Sequence, residues 1–355
     1  MNQILNGKSN PRLNCDVKYE GNNNKNIEKD RKTHLELERP EQIKPKEKVI
    51  NDDDVIKNEE NYLLRENDLT FSKYGKNFFE LCKENEPKFL IPANYLDRHS
   101  LTPEAREKMI DWMVEVFSAN NSEPGTLELA VHIMDTYILN TEKTLKDSDI
   151  HLLGLCSIYI ASKMEEKIPF RLTHIVKNLG KETFSKKEII EKEKDIVKTI
   201  DFDFYTAGTY DYLMIFFYDL KVNNSEILNK LEGHEIVDKF MKFCVFLSKL
   251  TLYNHKFVTY RTSLVSLAVL SLGYDFLKTN NQIENEDVKY FLRDWIYYLI
   301  NEMGYVFEAI QCVYEQIHEL YRYDIYIPQL GQEGSYGLFG EKVNNLFKLY
   351  QDDLL

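Results

Sequence analysis

The stretch Ile150-His-Leu-Leu-Gly-Leu-Cys-Ser-Ile-Tyr-Ile-Ala-Ser-Lys-Met164 decides the fold. Its apolar residues run almost the whole way round a helical wheel, the pattern of a helix enclosed by other helices and not of one lying on a surface. Lys163 is the one cation between Ile150 and Met164. A partly buried ammonium costs several kcal/mol unless an anion compensates it. Lys163 therefore either snorkels to water or pairs with Glu166 at i+3, or is held out for a ligand. Adjacent Glu165 and Glu166 point about 100° apart on a helix, which reads as a solvated helix end and not as an acid–base pair.

Amphipathic helices flank this centre. Thr102 is placed to cap a helix with Pro103 at its first position and Glu104 at the positive end of its dipole, followed by Met109, Trp112, Met113 and Val116 on one face. A second helix follows Gly125 with Leu127, Ala130, Ile133, Met134 and Tyr137. A short one ends near Gly180. Another opens on the capping box Ser185-x-x-Glu188 and continues through Ile189, Ile196, Val197 and Ile200. Beyond Thr206 five more helices are predicted over 209–221, 232–251, 257–278, 286–303 and 305–322, with no strand pattern. An all-α chain of two tandem five-helix bundles is expected, preceded by a short amphipathic helix around Tyr74, Phe78 and Leu81. The expected divisions are 1–68, a disordered tail rich in Asn, Lys, Glu and Asp; 69–205 and 206–325, the two bundles; and 326–355, a C-terminal tail.

The chain has 355 residues, 58 acidic against 45 basic, for a formal charge of −13. That balance argues against nucleic acid as a partner. Met1-Asn2-Gln3 opens no secretory signal, and no apolar run reaches the roughly 18 residues of a membrane span. Cys15, Cys82, Cys156, Cys244 and Cys312 are scattered and form no zinc-site spacing, so reduced thiols and a location in nucleus and cytoplasm are expected. No H-E-x-x-H, G-x-S-x-G, Walker or kinase signature occurs, and Gly331, Gly334, Gly337 and Gly340 follow no strand, so they make no phosphate loop. The chain is expected to catalyse nothing itself and to need no metal or cofactor.

Four blocks then stand in order: Arg106-x-x-Met-Ile-Asp-Trp-Met-Val-Glu-Val116, Leu127-x-Leu-Ala-Val-x-x-Met-Asp135, Leu152-Leu-Gly-x-x-x-x-x-Ile-Ala-Ser-Lys-Met-Glu-Glu166 and Glu193-x-x-Ile-Val-x-x-Ile-Asp-Phe-Asp-Phe204. Together they closely resemble the cyclin box of the mitotic A and B type cyclins, and Phe257-Val-Thr-Tyr-Arg-Thr-Ser263 resembles the start of the middle helix of the family's C-terminal fold. The resemblance implies a subunit that binds and activates a cyclin-dependent protein kinase during cell division. It implies that Lys163 and Glu193 engage the kinase's mobile helix, with Ile160, Met164, Glu166, Val197, Phe202 and Phe204 around them, so the ligand reading of Lys163 leads. Arg106 and Asp135 match a structural pair tying the first two helices together.

The resemblance also places Met109, Trp112, Glu115, Ile150 and His151 at a groove for Arg-x-Leu substrates. Ala105 and Lys108 stand there in place of large apolar groups and His151 in place of a glutamine, and a cation on that rim would repel basic peptides; Trp112 reads equally as core. Lys167-Ile168-Pro169-Phe170 departs from the family's pattern and bears on partner choice. Lys83-Glu84-Asn85 spells a degradation signal for a ubiquitin ligase, a triplet that also arises by chance in so Lys-, Glu- and Asn-rich a chain. Within the same fold the alternatives are a transcriptional-type cyclin or a binding module of the transcription machinery; outside it, a helical scaffold with no kinase.

Overall fold

A computed structural model describes residues 77–204, 207–280 and 282–322. Among them the one extended pairing is an isolated bridge between Ser100 and Lys146. The rest is helix and turn. The calls for the 1–68 and 326–355 tails, for Cys15 and for Tyr74 lie outside the described residues.

Helical residues 77–85 (α1) lead into a 3-10 turn, Glu86–Phe89, and then into α2 (Pro103–Ala119), α3 (Pro124–Asn140) and α4 (Ile150–Glu165). A short α5 (Leu172–His174) runs on as the π turn Ile175–Leu179 before α6 (Lys186–Thr199). The caps read from sequence are present. Thr102 Oγ accepts from Ala105 N–H at 3.2 Å, and Ser185 and Glu188 exchange the two bonds of a capping box at 3.2 and 2.8 Å. Leu153, Leu155, Cys156, Ile158 and Ala161 of α4 are wholly buried, and a Cβ on Gly154 would collide with the Met109 side chain of α2. The absence of that methylene lets α2 and α4 approach.

The second group comprises α7 (Thr209–Asn223), α8 (Ser225–Leu231), α9 (His234–Tyr253), α10 (Thr262–Thr279), α11 (Glu286–Met303) and α12 (Phe307–Tyr321). Here α10 takes the central place that α4 takes in the first, packing on α7, α9, α11 and α12. Helix α8 is one more than the pattern predicts. Its seven residues give two turns, too short for apolar periodicity, and Asn223-Asn224 before it reads as loop. The helix expected from 257 begins at Thr262; Phe257 and Val258 extend the apolar pattern but lie in a separate 3-10 turn, His255–Thr259.

Polar groups join the folds. The Glu86 carboxylate accepts from Ser263 N–H at 2.6 Å and Ser263 Oγ–H at 2.8 Å, capping the start of α10. In α1 the inward face is half-buried Phe79 and buried Cys82, continued by Glu86 at the start of the 3-10 turn, with Phe79 edge-on to Tyr212 at 6.0 Å; Phe78 and Leu81, the face expected from sequence, are exposed. Both oxygens of Glu128 in α3 accept from Tyr210 N–H, at 3.1 and 3.0 Å, at the start of α7.

Burial pushes the Glu128 carboxyl from an ordinary 4.5 up to about 8, partly offset by that N–H and by the charge of Lys249. The unfolded chain releases this proton first. The carboxyl's contribution is therefore fully present below about pH 4.5 and is lost as pH rises to about 8. Wild-type melting temperature is expected to fall across that window by more than that of Glu128→Gln, a differential of a few kcal/mol read from melts at pH 5, 6.5 and 8.

Candidate partner-binding surface

Helices α4 and α6 converge at the end of α4. Lys163 Nζ pairs with the Glu193 carboxylate and lies 4.2 Å from the centroid of the Tyr159 ring. The side chains keep 34% and 22% of their exposure, so the pair forms a charged rim open to solvent. The i+3 pairing of Lys163 with Glu166 does not occur. Glu166 Oε1 instead accepts from Thr126 Oγ–H at 2.7 Å and Glu123 N–H at 3.1 Å, holding the start of α3 against the end of α4. Glu166 Oε1 thus ties the end of α4 to the start of α3, and the residue stays half-exposed.

Around the rim Met164 is 54% exposed and Phe202 69%, while Val197 and Phe204 are half-buried. Ile160, expected among the contacts, is only 2% exposed and belongs to the core, because it faces inward from α4. Ile168, four residues beyond Met164, stands out at 84% exposed; the sequence marked it only as a departure in a loop. Phe170, its neighbour but one, turns inward and stacks on Phe117 at 6.2 Å.

Phe202 is held unusually. Asp201 and Phe202 have φ of 53° and 58°, the left-handed region, and their N–H groups close the end of α6 on the carbonyls of Lys198 and Val197 at 3.2 and 3.0 Å. A non-glycine residue in that region costs on the order of 1 kcal/mol, and strain of this sort gathers where a side chain must be presented. The ring recovers little by burial where it stands. A cleft of about 350 Å³ is lined by Phe78, Phe89, Met164 and Phe204, with Glu128 and Asp211 also on its wall. Burial pushes the Asp211 carboxyl up to about 6.

The expected substrate groove is smaller than the sequence implies. Met109 and Ile150 are buried core residues at 5% and 8% exposure. Trp112 is half-buried against the His151 ring at 5.4 Å, and His151 meets Phe184 at 5.2 Å; Glu115 is exposed. Burial lowers the His151 pKa, which favours the neutral imidazole, while Lys108 of α2 stays exposed. Lys83-Glu84-Asn85 forms the last turn of α1, where the Asn85 amide donates to Leu81 C=O at 2.8 Å.

Arg106 and Asp135 form a two-pronged ion pair, at 2.7 and 2.6 Å, with both side chains 1% exposed. The remaining Arg106 nitrogen donates to the carbonyls of Leu252 and Tyr253 at 2.9 and 3.1 Å. Those carbonyls end α9, so the arginine ties the second fold as well as the first two helices, a partner that spacing within the first bundle could not reveal. Among the described residues no group of three His, Cys, Asp or Glu is placed to hold a metal, and no helix is long and apolar enough to cross a membrane.

The described residues thus form paired helical bundles with a charged and apolar rim at the edge of the first. Residues 77–205 match the family model "Cyclin, N-terminal domain". Over that stretch the chain is similar to the cyclin family, and the relatives it matches are named as mitotic-specific cyclins. It is 33% identical over 141 residues to G2/mitotic-specific cyclin-B3 of Mus musculus, covering 39% of this chain and 10% of that protein. It is 27% identical over 206 residues to G2/mitotic-specific cyclin-B of Emericella nidulans, covering 58% and 40%. The chain therefore spans less than half the length of each of these two relatives. A viral cyclin from herpesvirus saimiri aligns in structure with a TM-score of 0.49 and 18% identity, over 68% of this chain and 96% of that one.

Proposed function

We propose that this chain is a regulatory subunit that binds and activates a cyclin-dependent serine/threonine protein kinase, acting in nucleus and cytoplasm to control progress through cell division. The observation that carries the reading is the Lys163–Glu193 rim beside exposed Met164 and the strained, exposed Phe202. The names of its relatives, mitotic cyclins, support it. A surface of this kind acts by population shift: it binds the kinase with its mobile helix in the active orientation better than in the inactive one. A preference of about 5.5 kcal/mol turns a 1:99 equilibrium into 99:1. Phosphoryl transfer then takes place on the kinase, whose own ion pair and metal sites carry the chemistry. This chain supplies no catalytic group. Arg-x-Leu substrates at Trp112, Glu115 and His151, and a ubiquitin ligase at Lys83-Glu84-Asn85, belong to the same reading.

Gentle purification of the tagged full chain is expected to recover a serine/threonine kinase, identified by mass spectrometry and by phosphorylation of an added protein substrate. Phe202→Ala should lower that recovery about 10-fold or more, as truncating a central aromatic anchor does. Recovery of no kinase with the wild-type chain overturns the reading.

A further inference from the structure

Helix α11 turns Leu292, Trp295, Ile296, Leu299 and Met303 into the second fold and leaves Tyr290, Tyr297 and Tyr298 outward, 53%, 52% and 54% exposed. At 100° and 1.5 Å per residue the three rings share one side of the helix, with Tyr290 and Tyr297 about 10.5 Å apart along its axis. Large, stiff, amphipathic rings of this type anchor protein interfaces at low entropic cost.

The charges on this face say what it takes. The Arg293 guanidinium already lies 5.0 Å from the centroid of the Tyr290 ring, so a ring here accepts a cation. Both cations of the face are engaged: Arg293 donates to Asp294 at 2.8 and 3.0 Å, and Lys289 pairs with Glu286 at 2.6 Å. Glu302 stands one turn beyond Tyr298 on α11, at i+4, and adds an exposed carboxylate to that side of the helix. Tyrosine faces framed by carboxylates attract Arg and Lys side chains by cation–π contact and by charge together. An acidic segment or a phosphate backbone meets repulsion in the same place.

We infer that the outer face of α11 docks a basic linear segment of a partner polypeptide, its Arg or Lys side chains lying over Tyr297 and Tyr298 and against Glu302. The surface lies on the second fold and is read on the chain alone, so its failure is distinct from failure of the kinase reading.

The test is fluorescence anisotropy of a labelled twelve-residue peptide of arginines, leucines and glycines titrated with the full chain, beside a counterpart carrying Glu for Arg. Saturable binding of the arginine peptide is expected, with none for the glutamate peptide. Tyr297→Ala with Tyr298→Ala should weaken it about 10-fold or more. Glu302→Lys, which keeps the rings, should weaken it several-fold, while Glu235→Lys on α9, an identical charge change, leaves it as it was. These exposed substitutions leave the fold intact. Equal affinity across the three variants, meaning general attraction to an acidic chain, or no saturable binding at all, overturns the proposal.

Discussion

Replacing Lys163 and Glu193 together with alanine is expected to abolish activation of the partner kinase, a loss of at least about 10²-fold, while the far-ultraviolet helix signal and melting temperature stay close to wild type. The two side chains pair with each other at the rim between α4 and α6 and remain partly exposed. An ion pair in that setting contributes about 0–1 kcal/mol to folding, and removing both members leaves no stranded charge. In the complex proposed above they are covered. Truncating a hydrogen-bonded charge that an interface buries costs about 2–5 kcal/mol, and each 1.4 kcal/mol is tenfold in affinity. Two such losses take away most of the roughly 5.5 kcal/mol needed to invert a 1:99 equilibrium. Kinase assays at saturating chain, with circular dichroism on the same preparations, check both halves. Undiminished activation with intact helix would place the contact elsewhere than the α4–α6 edge.

The sequence made some of this surface readable and hid the rest, for reasons that differ by residue. The all-round apolar pattern of Ile150–Met164 marked α4 as the enclosed helix, because burial on every side leaves a signature in composition alone. Thr102 and the Ser185–Glu188 box marked helix starts, because capping is chemistry within four residues. Lys163 was legible as an anomaly, but its partner was not. Glu193 lies 30 residues away, whereas Glu166 sits at the nearer and more obvious i+3 position, and only the crossing of α4 with α6 decides between them. Ile160 and Ile168 went the other way round. One is sealed in the core and the other stands in solvent, and spacing cannot say which side of the last turn of α4 remains open. The left-handed backbone at Asp201 and Phe202 was invisible for a related reason: no glycine announces it. The second half of Arg106's role was equally out of reach, since the Leu252 and Tyr253 carbonyls lie 146 and 147 residues downstream.

That arginine carries the second large effect. Arg106→Ala is expected to destabilise the chain by about 3–5 kcal/mol, the cost of breaking a buried ion pair by removing one member. For a chain of this size that lowers the melting temperature by roughly 10 °C. Burial works against the charge of Arg106, but Asp135 outweighs it, and the guanidinium is held more firmly charged than in water. Without it, Asp135 keeps the Tyr95 hydroxyl at 2.9 Å but faces the core as a carboxylate without its counter-ion, and the last two carbonyls of α9 lose their donor. Arg106→Lys should recover only part of the loss, because one ammonium cannot reproduce a planar fork that serves a carboxylate and two carbonyls at once. Arg106→Met with Asp135→Leu separates the causes. It removes the stranded charge, which alone would restore stability to near wild type. The α9 carbonyls remain unpaired at about 1–3 kcal/mol each if water cannot reach them, so the double variant should stay measurably below wild type in thermal and urea melts. Full recovery would mean that the contact with α9 adds nothing and that Arg106 serves the first fold alone. Activation should fall in these variants only as far as folded protein is lost, the opposite of the result at Lys163 and Glu193.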